Sequence, residues 1–165
     1  MAVITQLDIE RFVETEYPRV VAAVRLITGD REGAPDAVQD AIVTLLSSPP
    51  AEPIRNTAAW VTAAACNRVR DNRRHIDAET RALARKGMPA ESAGDAVERL
   101  DIDVRAALMS LSKQQREVCV LHYLLDESVV AIAEALGVSS GTVKTHLHRA
   151  RATLATRIQK EDHRG

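Results

Sequence analysis

The residues best suited to bind an anion form an acid-free stretch near the end of the 165-residue chain. No Asp or Glu occurs from position 135 to position 160, whereas lysines and arginines recur there. Exposed amides at a helix start attract phosphate, and basic side chains one or two turns later reach neighbouring phosphates. This arrangement predicts a contact with duplex DNA. The candidate residues are Ser139, Ser140, Gly141, Thr142, Lys144, Thr145, His148, Arg149 and Arg151.

The elements around this stretch follow the pattern of a helix-turn-helix. The spacing predicts a helix over 113–125, a short helix capped by Ser128, and a longer final helix capped by a serine. Gly137 suits the left-handed conformation after a helix end. We expect Val130 and Val138 to pack inside the module. In such a module the start of the second helix enters the major groove.

The first half of the chain predicts three more helices. Apolar side chains recur at helical spacing over 9–27, and Pro18 is expected to kink or split this stretch. A second helix should begin near Pro35 and end before a Pro-rich loop. A third should be capped by Asn56 and end in the basic run that closes at His75. These patterns predict an all-α fold.

Composition agrees with small helical domains. The chain is 45% apolar but only 2% aromatic, which is unusual for an all-β sandwich. Helical periodicity weakens over 76–100, where glycines and a proline interrupt it. We therefore predict two small helical domains, 1–75 and 101–165, joined by a flexible linker over 76–100.

Cysteines and histidines are present, but their spacing in the sequence is not typical of a disulfide, a metal site or a catalytic site. Cys66 and Cys119 lie far apart inside apolar helical patterns, so we expect reduced core thiols. The five histidines show no spacing typical of a metal site or a catalytic triad. We predict no catalytic residue, no metal and no cofactor. Without a signal pattern or a long apolar run, we expect a cytoplasmic protein with no membrane insertion.

The C-terminal segments resemble the fourth conserved region of sigma factors. Positions 111–118, 131–139 and 141–151 carry the likeness, and the sequence LHRAR at 147–151 is similar to the extracytoplasmic-function (ECF) group. LuxR-type response regulators share part of this pattern, because they too carry TVK-x-H after an REV-containing helix. An alternative function therefore stays open: a LuxR-type or sigma-like helix-turn-helix regulator that acts without polymerase.

The N-terminal segments resemble the second conserved region of ECF sigma factors. The likeness is carried by positions 17–19, 28–32, 36–40 and 59–71. A LuxR-type receiver needs buried strands that end in Asp, and none is visible in the sequence. The resemblance thus implies an initiation factor that binds core RNA polymerase, promoter DNA and an anti-sigma protein. Its last domain would contact the polymerase flap and the −35 element.

The resemblance also implies a docking face on the second helix for the polymerase clamp coiled coil. Its polar residues are Asp36, Gln39 and Asp40. Acids at i and i+4 share one helix face and can meet a basic helix. We expect Val38, Ile42, Leu45 and Leu46, which belong to the buried apolar stripe of this helix, to be available for packing beside them.

The third helix and the loop before it match the segment that opens the −10 element. Capturing an unpaired strand needs basic side chains for its backbone and a platform for its bases. The candidates are Asn56, Trp60, Asn67, Arg68, Arg70, Asp71, Arg73 and Arg74. Trp60 equally suits a core anchor, which we favour for it. The chain departs from the family pattern at Gly33, at Pro35 and in the alanines at 63–65.

Overall fold

The computed structural model describes residues 4–83 and 102–163. No strand occurs within these two ranges. The helices are α1 (Gln6–Thr15), α2 (Tyr17–Thr28), α3 (Ala34–Ser47), α4 (Thr57–Leu83), α5 (Ile102–Met109), α6 (Lys113–Cys119), α7 (Val129–Leu136) and α8 (Ser140–Asp162). A π-helical turn, Val120–Leu124, follows α6 directly. The first four helices form the N-terminal lobe, residues 4–83, and the others form the C-terminal lobe, residues 102–163.

Local signals set the helix boundaries of the N-terminal lobe. Thr5 and Asp8 form a capping box that begins α1. Pro18 lies in the first turn of α2, where its missing N–H costs no hydrogen bond, so the predicted split of this stretch is confirmed. Gly29, at φ +71°, ends α2 in the left-handed conformation.

Helix α4 is longer than its sequence pattern suggested. Asn56 caps it as predicted, with Oδ1 accepting a 2.9 Å hydrogen bond from the N–H of Ala59. The helix continues through Leu83, so the helix end predicted at His75 is wrong. No glycine or proline interrupts residues 76–83, so nothing local stops the helix there. The remainder of the predicted linker, residues 84–100, lies outside the described residues.

The helix-turn-helix forms at its predicted position. Ser128 caps α7 through its side chain, and Gly137, at φ +67°, ends that helix. Two packing predictions are wrong. Val130 is 52% exposed because the short α7 buries mainly Ile132 and Ala133 against the rest of the lobe. Val138, in the turn that follows Gly137, is 40% exposed.

The two lobes pack against each other, which the sequence did not predict. One continuous cluster of buried side chains runs from α1 to α8 through both lobes. Helix α2 lies against α6 and the π-helical turn, and α4 lies against α7. Arg19 of α2 donates a 2.7 Å hydrogen bond to the carbonyl oxygen of Leu124 across this contact. The arrangement places one side of α4 directly against the C-terminal lobe.

Candidate nucleic-acid interface

The outer face of α8 carries the residues predicted to contact duplex DNA. The Oγ of Ser139 accepts a 3.1 Å hydrogen bond from the N–H of Thr142 and so caps the helix. Val143, Leu147 and Ala150 are buried beneath, which turns the intervening positions outward. The exposed positions are Ser139, Gly141, Lys144, Thr145, His148, Arg149 and Arg151, with Ser140 and Thr142 half-buried beside them. The structure therefore brings the predicted set together on one surface.

Arg151 is held in place by a residue that sequence reasoning missed. Its Nε donates a 2.6 Å hydrogen bond to the hydroxyl of Tyr123. Its guanidinium carbon also lies 5.7 Å from the centre of the Tyr123 ring, within the range of a cation–π contact. Tyr123 lies in the π-helical turn, 28 positions earlier in the chain, so helical spacing alone offers no sign of the pair.

The residues predicted to contact the unpaired strand lie on more than one side of α4. Asn67, Arg70, Asp71 and Arg74 recur at the spacing of a single helix face. The Oδ1 of Asn67 accepts a 3.3 Å hydrogen bond from Arg70. Arg73 is exposed on a flank of the helix. The structure thus groups about half of the predicted set.

Arg68 lies on the side of α4 that faces α3. Its Nη1 is 3.6 Å from a carboxylate oxygen of Asp40, and its Nη2 donates to the hydroxyl of Thr44. This contact links a residue predicted for DNA binding with one predicted for polymerase docking. The two predicted surfaces therefore adjoin along the α3–α4 contact.

The Pro-rich loop before α4 meets the other lobe. The Nδ2 of Asn56 donates a hydrogen bond to the carboxylate of Glu127. Trp60 is half-buried and packs against the core, in agreement with its interpretation as an anchor. It also lines a cavity of about 360 Å³ together with Pro53 of the loop and Glu134 of α7.

The predicted docking face of α3 is exposed, although its apolar part differs from expectation. Asp36, Gln39 and Asp40 all point to solvent, and Gln39 donates a 3.4 Å hydrogen bond to the Tyr17 hydroxyl. Of the predicted apolar residues, Leu46 is exposed. Val38, Ile42 and Leu45 lie in the lobe's own core, which confirms their place in the buried stripe; the prediction that they are available to a partner is wrong.

Val43 is an exposed apolar residue on this face of α3 that the sequence analysis did not name. Its side chain is 61% exposed, and Leu46 beside it is 51% exposed. Counted from Asp36, Gln39, Asp40 and Val43 stand at i+3, i+4 and i+7, and Leu46 continues the same helix face three residues after Val43. The face is therefore an acidic first half followed by an apolar second half.

Side chains suited to metal or redox chemistry are dispersed in the part of the chain that the structure describes. Within residues 4–83 and 102–163, no three His, Cys, Asp or Glu side chains are grouped as they would be around a metal ion. Cys66 and Cys119 are both buried, and burial raises the pKa of each thiol above its usual value. Across the same ranges, no helix has the length and hydropathy to cross a membrane.

Comparison with known proteins agrees with the two-lobed helical architecture. The model of Sigma-70 region 2 matches residues 12–78, and the model of Sigma-70, region 4 matches residues 101–154. The chain is 35% identical to ECF RNA polymerase sigma factor SigL of Mycobacterium tuberculosis (strain ATCC 25618 / H37Rv), over 84% of this chain and 81% of that protein. The chain belongs to the ECF RNA polymerase sigma factors. This sigma factor is also 31% identical to the RNA polymerase sigma-E factor of Streptomyces avermitilis, over 94% of this chain and 88% of that protein.

Two solved structures share the fold of this sigma factor. The sigma factor RpoE from Bartonella quintana, solved with the anti-sigma factor NepR, matches with a TM-score of 0.74 at 23% identity, over 92% of this chain and 97% of that chain. CnrH, solved with the cytosolic domain of CnrY, matches with a TM-score of 0.66 at 25% identity, over 94% and 90% of the respective chains. The all-α fold of two sigma-type helical domains is confirmed.

These relationships establish what the sigma factor does at the level of the family. It acts with RNA polymerase in promoter-specific transcription initiation, as the resemblance implied. Proteins of this family are regulatory rather than enzymatic. The LuxR-type alternative is not favoured, because the N-terminal half matches Sigma-70 region 2.

Proposed function

We propose that the two lobes divide promoter recognition between them. The C-terminal lobe reads the −35 element as duplex DNA, whereas the N-terminal lobe holds core polymerase and opens the −10 element. The observation that carries this proposal is the exposed, acid-free outer face of α8 beside the Ser139 cap. The domain division is that predicted at 1–75 and 101–165, with the first boundary moved to the end of α4 at Leu83.

The proposed −35 contact uses the first two turns of α8. Gly141 and Thr145 leave the helix backbone accessible to base edges in the major groove, and Lys144 stands between them. Arg149 and Arg151 lie farther along the helix, where they reach the flanking phosphates. Tyr123 orients Arg151 by a hydrogen bond and a ring contact, which reduces the entropy lost when the arginine binds.

The proposed −10 contact uses the face of α4 that carries Asn67, Arg70, Asp71 and Arg74. Arginines attract the phosphates of a separated strand, and the polar groups between them can hydrogen-bond to base edges. Arg73 extends the basic surface, while Arg68 lies toward α3. This function involves binding and strand separation, and it requires no catalytic residue, metal or cofactor.

The proposed polymerase contact uses the exposed face of α3. Asp36 and Asp40 supply negative charge for a basic coiled coil, and Val43 and Leu46 supply apolar surface. A second contact, between the C-terminal lobe and the polymerase flap, would hold α8 over the −35 element. Because the protein would act with polymerase on promoter DNA, we propose that it works in the cytoplasm.

We also propose an anti-sigma protein as a partner. RpoE and CnrH, which share this fold, were both solved with a bound protein, and NepR is described as an anti-sigma factor. The exposed apolar residues Val43 and Leu46 suit such a partner as well as they suit polymerase. The two partners would then exclude each other on α3.

Run-off transcription with core RNA polymerase tests the proposal. Promoter templates are first selected from random DNA with the reconstituted holoenzyme, and transcripts are then compared with and without the sigma factor. We expect discrete transcripts that require both proteins. Footprints on DNA without polymerase, together with no binding to core polymerase, would overturn the proposal.

A further inference from the structure

Three arginines line one small cavity where the end of α2 meets α5. Arg25 lies in the last turn of α2, Arg31 in the turn that follows it, and Arg105 on α5. All three residues are half-buried, and they border a cavity of about 40 Å³. We call these three residues the arginine cluster. Because like charges around one cavity repel one another, the cluster calls for an acidic side chain or a bound anion.

No acidic side chain of the described residues serves the arginine cluster. Arginines elsewhere do form ion pairs: Arg70, for example, has its Nη2 2.8 Å from Oε2 of Glu117. No described carboxylate lies within ion-pair distance of the cluster. Asp30, beside the cluster in sequence, instead accepts a 2.8 Å hydrogen bond from the N–H of Gly33. The described side chains therefore leave the positive charges of the cluster uncompensated.

The hydrogen-bond donors of the cluster are in the same situation. Among the described residues, only the Nε of Arg25 donates, at 3.2 Å to the carbonyl oxygen of Arg31. The Nη2 of Arg31 is buried and has no hydrogen-bond partner in the described part of the chain. A buried charged donor without an acceptor costs free energy. A ligand that carries negative charge and accepts hydrogen bonds would satisfy both the charges and the donors.

The local conformation of the chain holds the cluster together. Gly29 ends α2 at φ +71°, and this left-handed conformation brings the carbonyl of Arg31 back to the side chain of Arg25. Leu26 and Leu108 form an apolar part of the cavity wall. An apolar wall lowers the local dielectric constant and so strengthens the attraction between arginines and an anion.

We propose that the arginine cluster binds the terminal phosphate of a small anionic ligand. Arginine pairs with phosphate through two parallel hydrogen bonds, and several arginines match the two negative charges of a terminal phosphate. The cavity exceeds the about 10–15 Å³ that one water needs, but it is far below the about 300 Å³ of a site for an entire organic ligand. One phosphoryl group therefore enters, and the rest of a larger ligand stays outside.

The phosphate would join the two lobes, because two arginines of the cluster belong to the N-terminal lobe and Arg105 belongs to the C-terminal lobe. A ligand that binds only the folded chain raises its stability as the ligand concentration rises. Without the ligand, repulsion within the cluster lowers stability. The site goes beyond the proposed promoter function, since none of the three arginines lies on a face proposed for DNA or polymerase.

Two variants separate a ligand site from a structural role. Arg31→Gln with Arg105→Gln removes two charges and keeps side chains that can hydrogen-bond. Arg105→Glu supplies a carboxylate from the chain itself. If the cluster is a ligand site, neither variant loses stability without the ligand, and Arg105→Glu becomes more stable because its carboxylate takes the place of the anion.

Thermal unfolding and titration calorimetry of the full-length chain test the proposal, with pyrophosphate as the probe and sodium chloride at equal ionic strength as the salt control. We expect the wild-type unfolding midpoint to rise by about 5 °C or more at pyrophosphate about 100-fold above its dissociation constant. Arg31→Gln with Arg105→Gln should bind pyrophosphate at least about tenfold more weakly. Arg105→Glu should lose the response to pyrophosphate.

Two control variants remove the same charge elsewhere. Arg11→Gln with Lys113→Gln changes exposed positions away from the cavity, and Lys144→Ala with Arg149→Ala changes the exposed face of α8. Both should keep the tight pyrophosphate site. A short oligonucleotide without a terminal phosphate distinguishes a terminal phosphate from the phosphates of a DNA backbone. Its affinity should be the same for the wild type and the double glutamine variant of the cluster.

Several results would overturn the proposal. Equal pyrophosphate affinity in the wild type and the double glutamine variant would show that the cluster is not the site. Loss of the tight site in the Lys144 and Arg149 variant alone would assign it to α8. An equal rise in midpoint with sodium chloride would reduce the effect to salt. Lower stability of both cluster variants without pyrophosphate would show that the arginines support the fold. Weaker oligonucleotide binding by the double glutamine variant would show that the cluster binds a backbone phosphate instead.

Discussion

The guanidinium Nη1 of Arg116 donates a 3.0 Å hydrogen bond to the carbonyl oxygen of Ile27 in the last turn of α2. Its other nitrogens donate to the carbonyls of Leu108 and Leu111, at 3.0 and 3.1 Å. Arg116 is 9% exposed, and burial lowers its pKa. One buried cation thus donates to carbonyl groups of both lobes, including that of Ile27 near the end of α2, where no further helical turn supplies an N–H donor.

Replacing Arg116 with alanine should lower the free energy of unfolding by about 3 kcal/mol. The change removes the arginine's hydrogen bonds to the buried carbonyls of Ile27 and Leu111, and it removes the packing of the long side chain. Urea unfolding followed by circular dichroism measures the effect. The control is Lys113→Ala on the exposed start of α6, which should change stability by less than about 0.5 kcal/mol. Equal losses in the two variants would contradict this role for Arg116.

The sequence predicted the helices well because their boundaries depend on local chemistry. Asn56, Ser128 and Ser139 cap helices through their own side chains, and Gly137 takes a left-handed conformation after α7. Pro18 likewise begins α2. Each of these signals operates within a few residues, so a single sequence contains all the information that they need.

The packing between the lobes could not be predicted in the same way. Helical periodicity shows which face of α4 is apolar, but Arg70 and Glu117 are 47 positions apart and carry no mutual signal. The omission of Val43 from the predicted docking face has a related cause. Residues 41–46 of α3 are almost all apolar, so spacing alone does not decide which of them face outward.

Glu127 should make stability decrease as pH rises. Burial raises its pKa, Glu16 and Asp126 raise it further, and Arg19 and Asn56 oppose the rise. A carboxyl with a raised pKa binds its proton more tightly in the folded chain. The stabilisation is therefore complete in acid and is lost as pH rises from about 4.5, the ordinary value, through the raised folded value.

Urea unfolding at a series of pH values measures this effect. Relative to the wild type, Glu127→Gln should become more stable across that window, because glutamine carries no proton to lose. Glu14→Gln, at an exposed position of α1, serves as the control and should follow the wild type. A stability difference that stays constant with pH would show that the Glu127 carboxyl does not titrate as described.

Reversing the charge on α3 should weaken binding to core polymerase. Asp36→Arg with Asp40→Arg places positive charge on the proposed docking face, and we expect a loss of affinity of about tenfold or more. Fluorescence anisotropy of labelled sigma factor with core polymerase measures it. Asp36→Arg alone should give part of the loss, which separates docking from the contact between Asp40 and Arg68.

A charge-matched control accompanies this measurement. Glu14→Arg with Glu32→Arg introduces the same positive charge at exposed positions outside the docking face. This variant should bind core polymerase as the wild type does. Normal binding by the Asp36 and Asp40 variant would show that the docking face lies elsewhere.

Removing two basic residues from α8 should weaken holoenzyme binding to promoter DNA and reduce its dependence on salt. Each lost phosphate contact lowers the slope of log affinity against log salt by about one. Lys144→Ala with Arg149→Ala should therefore lower the slope by about two. Arg11→Ala with Lys113→Ala removes the same charge from exposed positions away from α8 and should leave the slope unchanged.

Variants of Tyr123 and Arg151 distinguish the effect of orienting the Arg151 side chain from the effect of its charge. Tyr123→Phe removes the 2.6 Å hydrogen bond but keeps both the ring and the arginine charge. We expect promoter affinity to fall about threefold, as for one hydrogen bond at a half-exposed position, with the salt slope unchanged. Arg151→Ala should reduce affinity further and lower the slope by about one. If Tyr123→Phe also lowers the slope, Arg151 no longer reaches its phosphate, and the tyrosine then positions the contact rather than merely strengthening it.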